Sequence, residues 1–272
     1  MAYETIQFER RGRVALITLD RPERLNAFSL QLMAEVHRAL DEAEADDALG
    51  AVVICGAGRA FSSGFDLKDD AETETVGKEG WRKRLEGEFA YIHRFWQFPK
   101  PTIAAVHGYC LAGGCELAMA CDVTIAEEGC FLGEPELRFG SVIIDMMMPW
   151  LLGPKLTKEL LLSGDDRISA ERAERIGLVN QVVGKGEHVT RALALAARMA
   201  ALDGDAVRRT KAAINRTFEI MGMNEALRQG LDTAIDIESM ETPSRAEFKR
   251  IAGEQGLKAA LAWRDGRLED DS

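Results

Sequence analysis

The chain has 272 residues, of which 46% are hydrophobic and 29% are charged, a composition typical of a soluble globular protein. A net charge of −11, with no run of five Lys or Arg residues, argues against nucleic acid and anionic membranes as main partners. No apolar stretch approaches the roughly 18 residues that span a bilayer, and the N-terminus shows no secretory leader pattern. We therefore expect a cytoplasmic protein with one large domain, or with one domain and an appended element.

Buried strands and helices are predicted to alternate over the first 183 residues. Runs rich in β-branched residues predict strands at 14–19, 51–55, 102–106, 123–126 and 178–183. Helical spacing of apolar residues predicts a helix between the first two strands, carrying Met33, Val36, Leu40 and Ala43, and another over 114–120. Because most of these strands are apolar throughout, helices should cover both faces of a parallel sheet, which makes the fold class α/β.

From Glu187 onward the pattern predicts helices only, so we divide the chain into a core at 1–200 and a helical C-terminal region at 201–272. The apolar stripes of these helices must be buried on their own sheet or on a neighbouring subunit, and we expect an oligomer. The polar segment 69–87 is either a mobile cover over a site or a solvated surface helix.

Several common types of site are disfavoured by the motifs. Five cysteines without C-x₂-C pairs favour reduced, buried thiols, and four scattered histidines offer no metal site. The sequence Gly56-Ala-Gly58 follows a strand, but Phe61 stands where a dinucleotide loop needs its third glycine. The phosphate-binding loop G-x-x-x-x-G-K-[ST] and the serine hydrolase motif G-x-S-x-G are both missing from the sequence.

Two glycine-containing turns after predicted strands remain as candidates, at 58–67 and 106–117. Glycine lets the backbone approach a ligand, and a helix that begins at such a turn points free N–H groups outward. If the two turns face each other, they could hold a carbonyl oxygen that becomes negatively charged. The alternative is that both are ordinary turns between strand and helix.

Two acids follow the second turn. Glu116 lies just inside the predicted helix and Glu136 lies in a Pro-marked loop. Each is either a surface charge or a buried acid/base, and two converging carboxylates would supply both a general acid and a general base.

These residues are part of a longer set of motifs that resembles the crotonase superfamily, also called enoyl-CoA hydratase/isomerase, over nearly the whole chain. The matching segments include Arg21-Pro22, Leu25-Asn26-Ala27, 60–67, 101–108, 112–118, Cys121-Asp122, Pro135-Glu136, 161–164, 168–170, Ala173 and 177–180. The resemblance implies a spiral of β-β-α units and a C-terminal helical region that forms a homotrimer or a dimer of trimers. It also implies an acyl-CoA substrate and no separate cofactor or metal.

Carried over by position, the resemblance makes the backbone N–H groups of Ser63 and Gly113 the oxyanion hole. Glu116 and Glu136 match the two acids of the family's hydratases, in which one assists the attack of water at C3 and the other protonates C2. The implied activity is hydration of a trans-2-enoyl-CoA. The alternatives are an isomerase, a thioester hydrolase, a dehalogenase-like reaction, or a CoA-binding scaffold without catalysis.

The resemblance also implies where coenzyme A lies. Its edge would be formed by Arg24, Leu25 and Ala27, and the adenine would lie near Ser63, Phe65, Asp66 and Leu67. Lys68 would be available to a phosphate, although an exposed lysine beside Asp69 and Asp70 is often only solvated.

One segment departs from the typical hydratase. Residues 140–153 replace the usual glycine-rich stretch with an apolar segment containing three consecutive methionines, which would line an acyl pocket or simply fill the core. Asp145 in this segment either begins a solvated helix or points into the pocket, where dehalogenase-like relatives use an aspartate as a nucleophile. Trp81, Phe89, His93 and Trp96 are further candidates for the pocket wall.

Overall fold

The computed structural model describes residues 2–66 and 77–269. Its strands are β1 (Ile6–Arg11), β2 (Val14–Leu19), β3 (Ala51–Gly56), β4 (Thr102–Val106), β5 (Tyr109–Leu111), β6 (Val123–Glu127), β7 (Phe131–Gly133), β8 (Ile168–Ser169) and β9 (Gln181–Val183). Its helices are α1 (Leu30–Ala45), α2 (Gly77–Gln97), α3 (Gly113–Ala120), α4 (Met148–Ser163), α5 (Ala170–Ile176), α6 (His188–Ala200), α7 (Gly204–Ile220), α8 (Met223–Ser239), α9 (Pro243–Gln255) and α10 (Leu257–Glu269). Short 3-10 turns lie at Pro22–Arg24 and Glu136–Phe139.

Six strands form one sheet in the order β1-β2-β3-β4-β6-β9. The pair β1 and β2 is antiparallel, and the pairs from β2 through β9 are parallel. A second, three-stranded sheet has the order β5-β7-β8. This arrangement of helices and mainly parallel strands confirms the predicted α/β class.

Apolar residues lie on both faces of the larger sheet, as predicted from the continuous apolar runs. Along β2, Ile17 and Leu19 belong to the main core with α1, α2 and α3, whereas Val14 and Leu16 lie in a second cluster. That second cluster is closed by α6 through Ala192, Ala196 and Ala200. Successive side chains of a strand point to opposite faces, so strands covered on both sides need apolar residues at every position.

One expectation about elements needs correction. The predicted strand at 178–183 is present only as Gln181–Val183, because helix α5 ends at Gly177 in a left-handed conformation and Leu178 N–H donates back to Ala173 O at 2.8 Å. Of the two interpretations of the polar segment 69–87, the helix is confirmed for residues 77–87, which belong to α2. The rest of that segment lies outside the described residues.

All five cysteines are buried free thiols, as predicted. In the part of the chain that the structure describes, no helix combines the length and apolar character of a membrane span.

Candidate active site

The two glycine turns lie side by side. Ser62 and Cys110 form an isolated parallel bridge, in which Leu111 N–H donates to Ser62 O at 3.0 Å. A Cβ atom added to Gly64 would lie 3.0 Å from the backbone nitrogen of Gly113. The first turn therefore packs directly on the start of helix α3, as an oxyanion hole made from both turns requires.

Gly113 is the first residue of helix α3, so its N–H has no acceptor within the helix. The preceding residue, Ala112, has a φ of 54°, a conformation that non-glycine residues rarely adopt. A Cβ atom on Gly113 would lie 2.6 Å from the Phe65 ring. Backbone strain of this kind is typical of functional sites, and the close Phe65 ring explains why position 113 holds a glycine.

The N–H of Ser63 is engaged within the protein. It donates to the carbonyl oxygen of Leu25 at 3.0 Å. The turn that carries Leu25 is held by Asn26, whose amide group donates to Ala57 O and Ala60 O at 2.9 and 2.8 Å. The role of Ser63 as an oxyanion donor stays a prediction, and it requires a thioester oxygen to replace or share the Leu25 carbonyl.

The predicted coenzyme A edge is only partly described. Arg24 is exposed and Leu25 is half-buried in the turn beside the Ser63 segment, while Ala27 is buried. Asp66 is also buried, and its carboxylate pairs with Arg21 at 2.9 Å, which gives this side chain a structural role. Leu67 and Lys68 lie outside the described residues.

Glu116 lies on the first turn of α3 and its side chain is 1% exposed. Its Oε1 accepts the N–H of Ile144 at 3.2 Å, and its Oε2 accepts the N–H of Asp145 at 2.7 Å. The departing segment 140–153 therefore holds this carboxyl group through main-chain amides.

Two further carboxyl groups approach Glu116. Oxygen atoms of Glu116, Glu134 and Glu136 all lie within 4.8 Å of one another. The topology explains this, since β7 pairs with β5 in parallel and Ala112 N–H donates to Gly133 O at 2.8 Å. The residue after β7 therefore lies beside the start of α3. Glu136 begins the following 3-10 turn.

Burial controls the protonation of this cluster. It raises the pKa of Glu116 well above its usual range, and the charge of Glu136 raises it further. Burial followed by the charge of Glu136 has the same effect on the pKa of Glu134. Burial raises the pKa of Glu136 to about 7, against hydrogen bonds from its own backbone and from Glu134 that lower it. At neutral pH the cluster therefore holds protons that it can give and take.

Asp145 points inward, so of the two orientations considered from the sequence the solvated one is wrong. Its side chain is fully buried, and its Oδ2 lies 3.2 Å from Nδ1 of His93. Burial raises the pKa of Asp145, while the His93 contact lowers it. On its outer side, His93 lines a cavity of about 180 Å³ together with Asn215 and Glu219.

The aromatic candidates have separate roles. Phe89 stacks on His93 with ring centroids 5.0 Å apart, and with Trp81 it packs on a small cluster that includes Ile144 of the departing segment. Trp96 packs on Phe218 of α7 with ring centroids 5.8 Å apart, lies against the main core, and also lines the cavity beside His93.

Sequence reasoning missed Glu134 as a member of the site. The segment Glu134-Pro135-Glu136 places two acids two residues apart at a strand end, where i and i+2 side chains share a face. That spacing is the signal that could have identified it.

Comparison with known proteins identifies the family of the chain. The profile of the family described as enoyl-CoA hydratase/isomerase matches residues 9–250. The chain is 40% identical over 223 residues to "Probable enoyl-CoA hydratase echA8" of Mycobacterium bovis, which covers 80% of this chain and 84% of that protein. It is 33% identical over 243 residues to the short-chain-enoyl-CoA hydratase of Clostridium acetobutylicum, covering 88% of each.

A solved structure extends this similarity. The crystal structure of an enoyl-CoA hydratase/isomerase from Xanthobacter autotrophicus Py2 matches with a TM-score of 0.96 and 48% identity, over 98% of this chain and 99% of that chain. The chain therefore belongs to the enoyl-CoA hydratase/isomerase family, the crotonase superfamily that its sequence motifs resemble.

Proposed function

We propose that this protein is an enoyl-CoA hydratase that adds water across the double bond of a trans-2-enoyl-CoA. Relatives named as enoyl-CoA hydratases support hydratase activity in general. The observation that carries the specific proposal is the approach of buried Glu116 to half-buried Glu136, whose Oε2 is buried, beside the first N–H of helix α3. A hydration needs one group to activate water and another to donate a proton, and this pair can do both.

The thioester oxygen of the substrate binds between the N–H groups of Gly113 and Ser63. When water attacks C3, negative charge moves onto this oxygen as an enolate forms. Fixed main-chain donors are aimed where this charge develops, and losing one donor of this kind costs about 2.7–4 kcal/mol of transition-state stabilisation.

The two glutamates divide the proton transfers. Burial raises the pKa of Glu116, and the hydrogen bonds that its two oxygens accept from the Ile144 and Asp145 N–H groups oppose this shift by stabilising the carboxylate. We assign Glu116 as the base because its carboxylate has these fixed donors, and in that form it takes a proton from the attacking water. Oε2 of Glu136 is buried without a donor among the described residues, which favours a proton on this carboxyl group. Glu136 passes that proton to C2, and the proton taken by Glu116 returns to Glu136 to close the cycle. The substrate gains one water molecule and the enzyme is unchanged.

Coenzyme A binds along the turn formed by Arg24, Leu25 and Ala27. Its adenine lies near Phe65, Asp66 and Leu67, and Lys68 is available to a phosphate. Asp145 lies at the acyl end through its position beside Glu116. The cytoplasmic location and the homotrimer or dimer of trimers expected from the sequence are parts of this proposal as well.

The test is a spectrophotometric assay with crotonyl-CoA and longer enoyl-CoAs. Glu116→Gln and Glu136→Gln should each lower kcat by about 10²- to 10⁴-fold, the usual contribution of a positioned acid or base. The wild-type rate should fall as the pH rises above about 7, because Glu136 then loses the proton that it donates. Glu35→Gln, a buried change on α1 away from the cluster, should retain wild-type kcat.

Consumption of no enoyl-CoA, together with release of free thiol from another acyl-CoA, would replace the hydratase assignment with a thioester hydrolase. Isomerisation without hydration would favour an isomerase. Binding of acyl-CoA without any turnover would favour a scaffold protein.

A second candidate function is displacement of a leaving group, such as a halide, from a carbon of the acyl chain by the carboxylate of Asp145. The observation in its favour is that Oδ1 of Asp145 is buried and has no hydrogen-bond partner among the described residues. This reaction would form an acyl-enzyme ester, so an increase in protein mass located on Asp145 would distinguish it from hydration.

A further inference from the structure

Glu134 is a buried glutamate, and no hydrogen-bond donor among the described residues is bonded to its carboxyl group. Its side chain is 2% exposed. An oxygen of Glu134 lies within 4.8 Å of oxygens of Glu116 and Glu136, and a hydrogen bond from Glu134 lowers the pKa of Glu136. Two carboxyl groups in such contact are both satisfied only when a proton lies between them.

Among the described residues, none of the groups that act most strongly on the carboxyl group of Glu134 carries a positive charge. The groups acting on Glu134 are Cys110 from β5, Cys115 and Glu116 from α3, and Glu136 from its own turn. The nearby Arg138 is paired with Asp166 at 3.1 Å. An isolated buried carboxylate costs several kcal/mol, so a protonated Glu134 is the stable form.

A bound divalent cation fits the site less well than a proton. Mg²⁺ and Ca²⁺ need six or more oxygen ligands, and both oxygens of Glu116 are already engaged by main-chain amides. The neighbouring thiols of Cys110 and Cys115 are poor partners for such hard cations.

We propose that Glu134 is a positioning residue of the acid/base site, which holds a proton and donates it in a hydrogen bond to Glu136. This inference rests on the proposed function, since it assigns Glu134 a role in setting the charge of the glutamate pair. A protonated Glu134 orients the carboxyl group of Glu136 and stabilises the anion that Glu136 becomes after protonating C2. Glu136 can then return to its starting state without leaving two adjacent buried carboxylates.

The first test uses the substrate-free protein, so its result does not depend on the reaction. In the unfolded chain Glu134 releases its proton near pH 4.5, whereas the folded protein keeps this proton to higher pH. The contribution of Glu134 to the free energy of unfolding is therefore complete in acid and decreases as the pH rises, because ionisation of the buried carboxyl group destabilises the folded state. Glu134→Gln has no proton to lose. It should raise Tm by about 3 °C at pH 9 and change it by under about 1 °C at pH 5, the scale expected for a chain of this length.

The matched control is Glu35→Gln, another buried glutamate. Burial opposes ionisation of Glu35, but hydrogen bonds from Thr5 and Glu4 hold the pKa of this carboxyl below its usual value. Its amide variant should therefore be destabilised at pH 9 and approach the wild type in acid. If Glu134→Gln behaves like Glu35→Gln, then Glu134 is ionised in the folded protein and the inference is wrong.

The second test is the pH profile of kcat/KM for enoyl-CoA hydration. Glu134→Gln keeps an N–H donor towards Glu136, so its alkaline limb should stay within about 0.3 pH units of the wild type. Glu134→Leu has no donor, so Glu136 should hold its proton to higher pH and the alkaline limb should move up by about one unit. If Glu134 had only a structural role, both variants would have a lower kcat but the alkaline limbs of their pH profiles would coincide. That result would overturn the proposal.

A third experiment titrates the wild type and Glu134→Gln with Mg²⁺ and Ca²⁺ alone, to test whether a cation rather than a proton neutralises the cluster. Neither protein should bind these ions at the cluster. Stoichiometric binding to the wild type that is lost in the variant would show that a cation neutralises the cluster, which contradicts the inference. If the wild type hydrates no enoyl-CoA, the proposed function fails, and the stability test still decides whether Glu134 holds a proton.

Discussion

At the scale of single residues, a main-chain N–H can serve as an oxyanion donor only if it is available to the substrate, which an N–H in an ordinary turn is not. Gly113 N–H lies at the start of α3 and has no acceptor within the helix, whereas Ser63 N–H already has an acceptor in Leu25 O. The two proposed donors therefore differ in the unliganded protein: a thioester oxygen can bind Gly113 N–H directly, but it must displace or share Leu25 O to bind Ser63 N–H.

Substitution at Gly113 tests this donor. Gly113→Pro removes the N–H at a helix position that tolerates proline, and should lower kcat by at least about 10²-fold. Gly113→Ala keeps the N–H but adds the same Cβ against the Phe65 ring, so it controls for steric effects. Ser63→Ala leaves its backbone donor intact and should stay within about threefold of the wild type. Equal activities of the proline and alanine variants would rule out Gly113 N–H as a donor.

Single residues also show why part of the site escaped sequence reasoning. Glu116 and Glu136 were found through their motif positions, but the sequence left the orientation of Asp145 open and did not single out Glu134. The orientation of Asp145 and the place of Glu134 in the site both depend on contacts between residues far apart in the chain. Asp145 contacts His93, and Glu134 lies beside the start of α3. Local periodicity carries no information on such contacts.

At the scale of elements, the turn before helix α1 positions the site. Leu25 and Asn26 both have positive φ, which costs energy in non-glycine residues, and the buried Asn26 side chain compensates by linking Arg21 N–H to Ala57 O and Ala60 O. The turn thereby places Leu25 O against Ser63 N–H.

Asn26→Ala should lower the free energy of unfolding by about 2–4 kcal/mol, because three backbone groups, one buried and two partly buried, lose their partners. It should also raise KM for the acyl-CoA, since the turn forms the proposed coenzyme A edge. Urea unfolding and steady-state kinetics measure the two effects. Arg24→Ala, an exposed change in the same turn, should leave the stability within about 0.5 kcal/mol of the wild type. A wild-type stability of Asn26→Ala would show that these hydrogen bonds do not hold the turn.

The elements found from the sequence are those with long apolar runs. Strands β2, β3, β4 and β6 and helix α1 were predicted because their buried residues are consecutive or recur at helical spacing. The three-residue strands β5 and β7 were not, because so few residues cannot show a period. These two strands nevertheless align the second glycine turn with Glu134 and Glu136, so the least predictable elements build the centre of the site.

At the scale of the whole molecule, the covered sheet acts as a rigid support for the two turns. Helices close both of its faces, and the first glycine turn follows β3 while the second follows β4 and β5. Adjacent parallel strands bring their carboxyl ends to the same edge, which is why segments 50 residues apart meet at one site. The sequence predicted this architecture because it requires only buried, continuous strands and their order.

A crystal structure of the protein with a bound acyl-CoA thioester tests the central claim most directly. The thioester oxygen should lie about 2.7–3.1 Å from the backbone nitrogens of Ser63 and Gly113. The Ser63 N–H should then have turned from Leu25 O to the ligand, and the carboxyl groups of Glu116 and Glu136 should face C3 and C2. A thioester oxygen bound away from both amides, with these glutamates not facing the acyl carbons, would contradict the account.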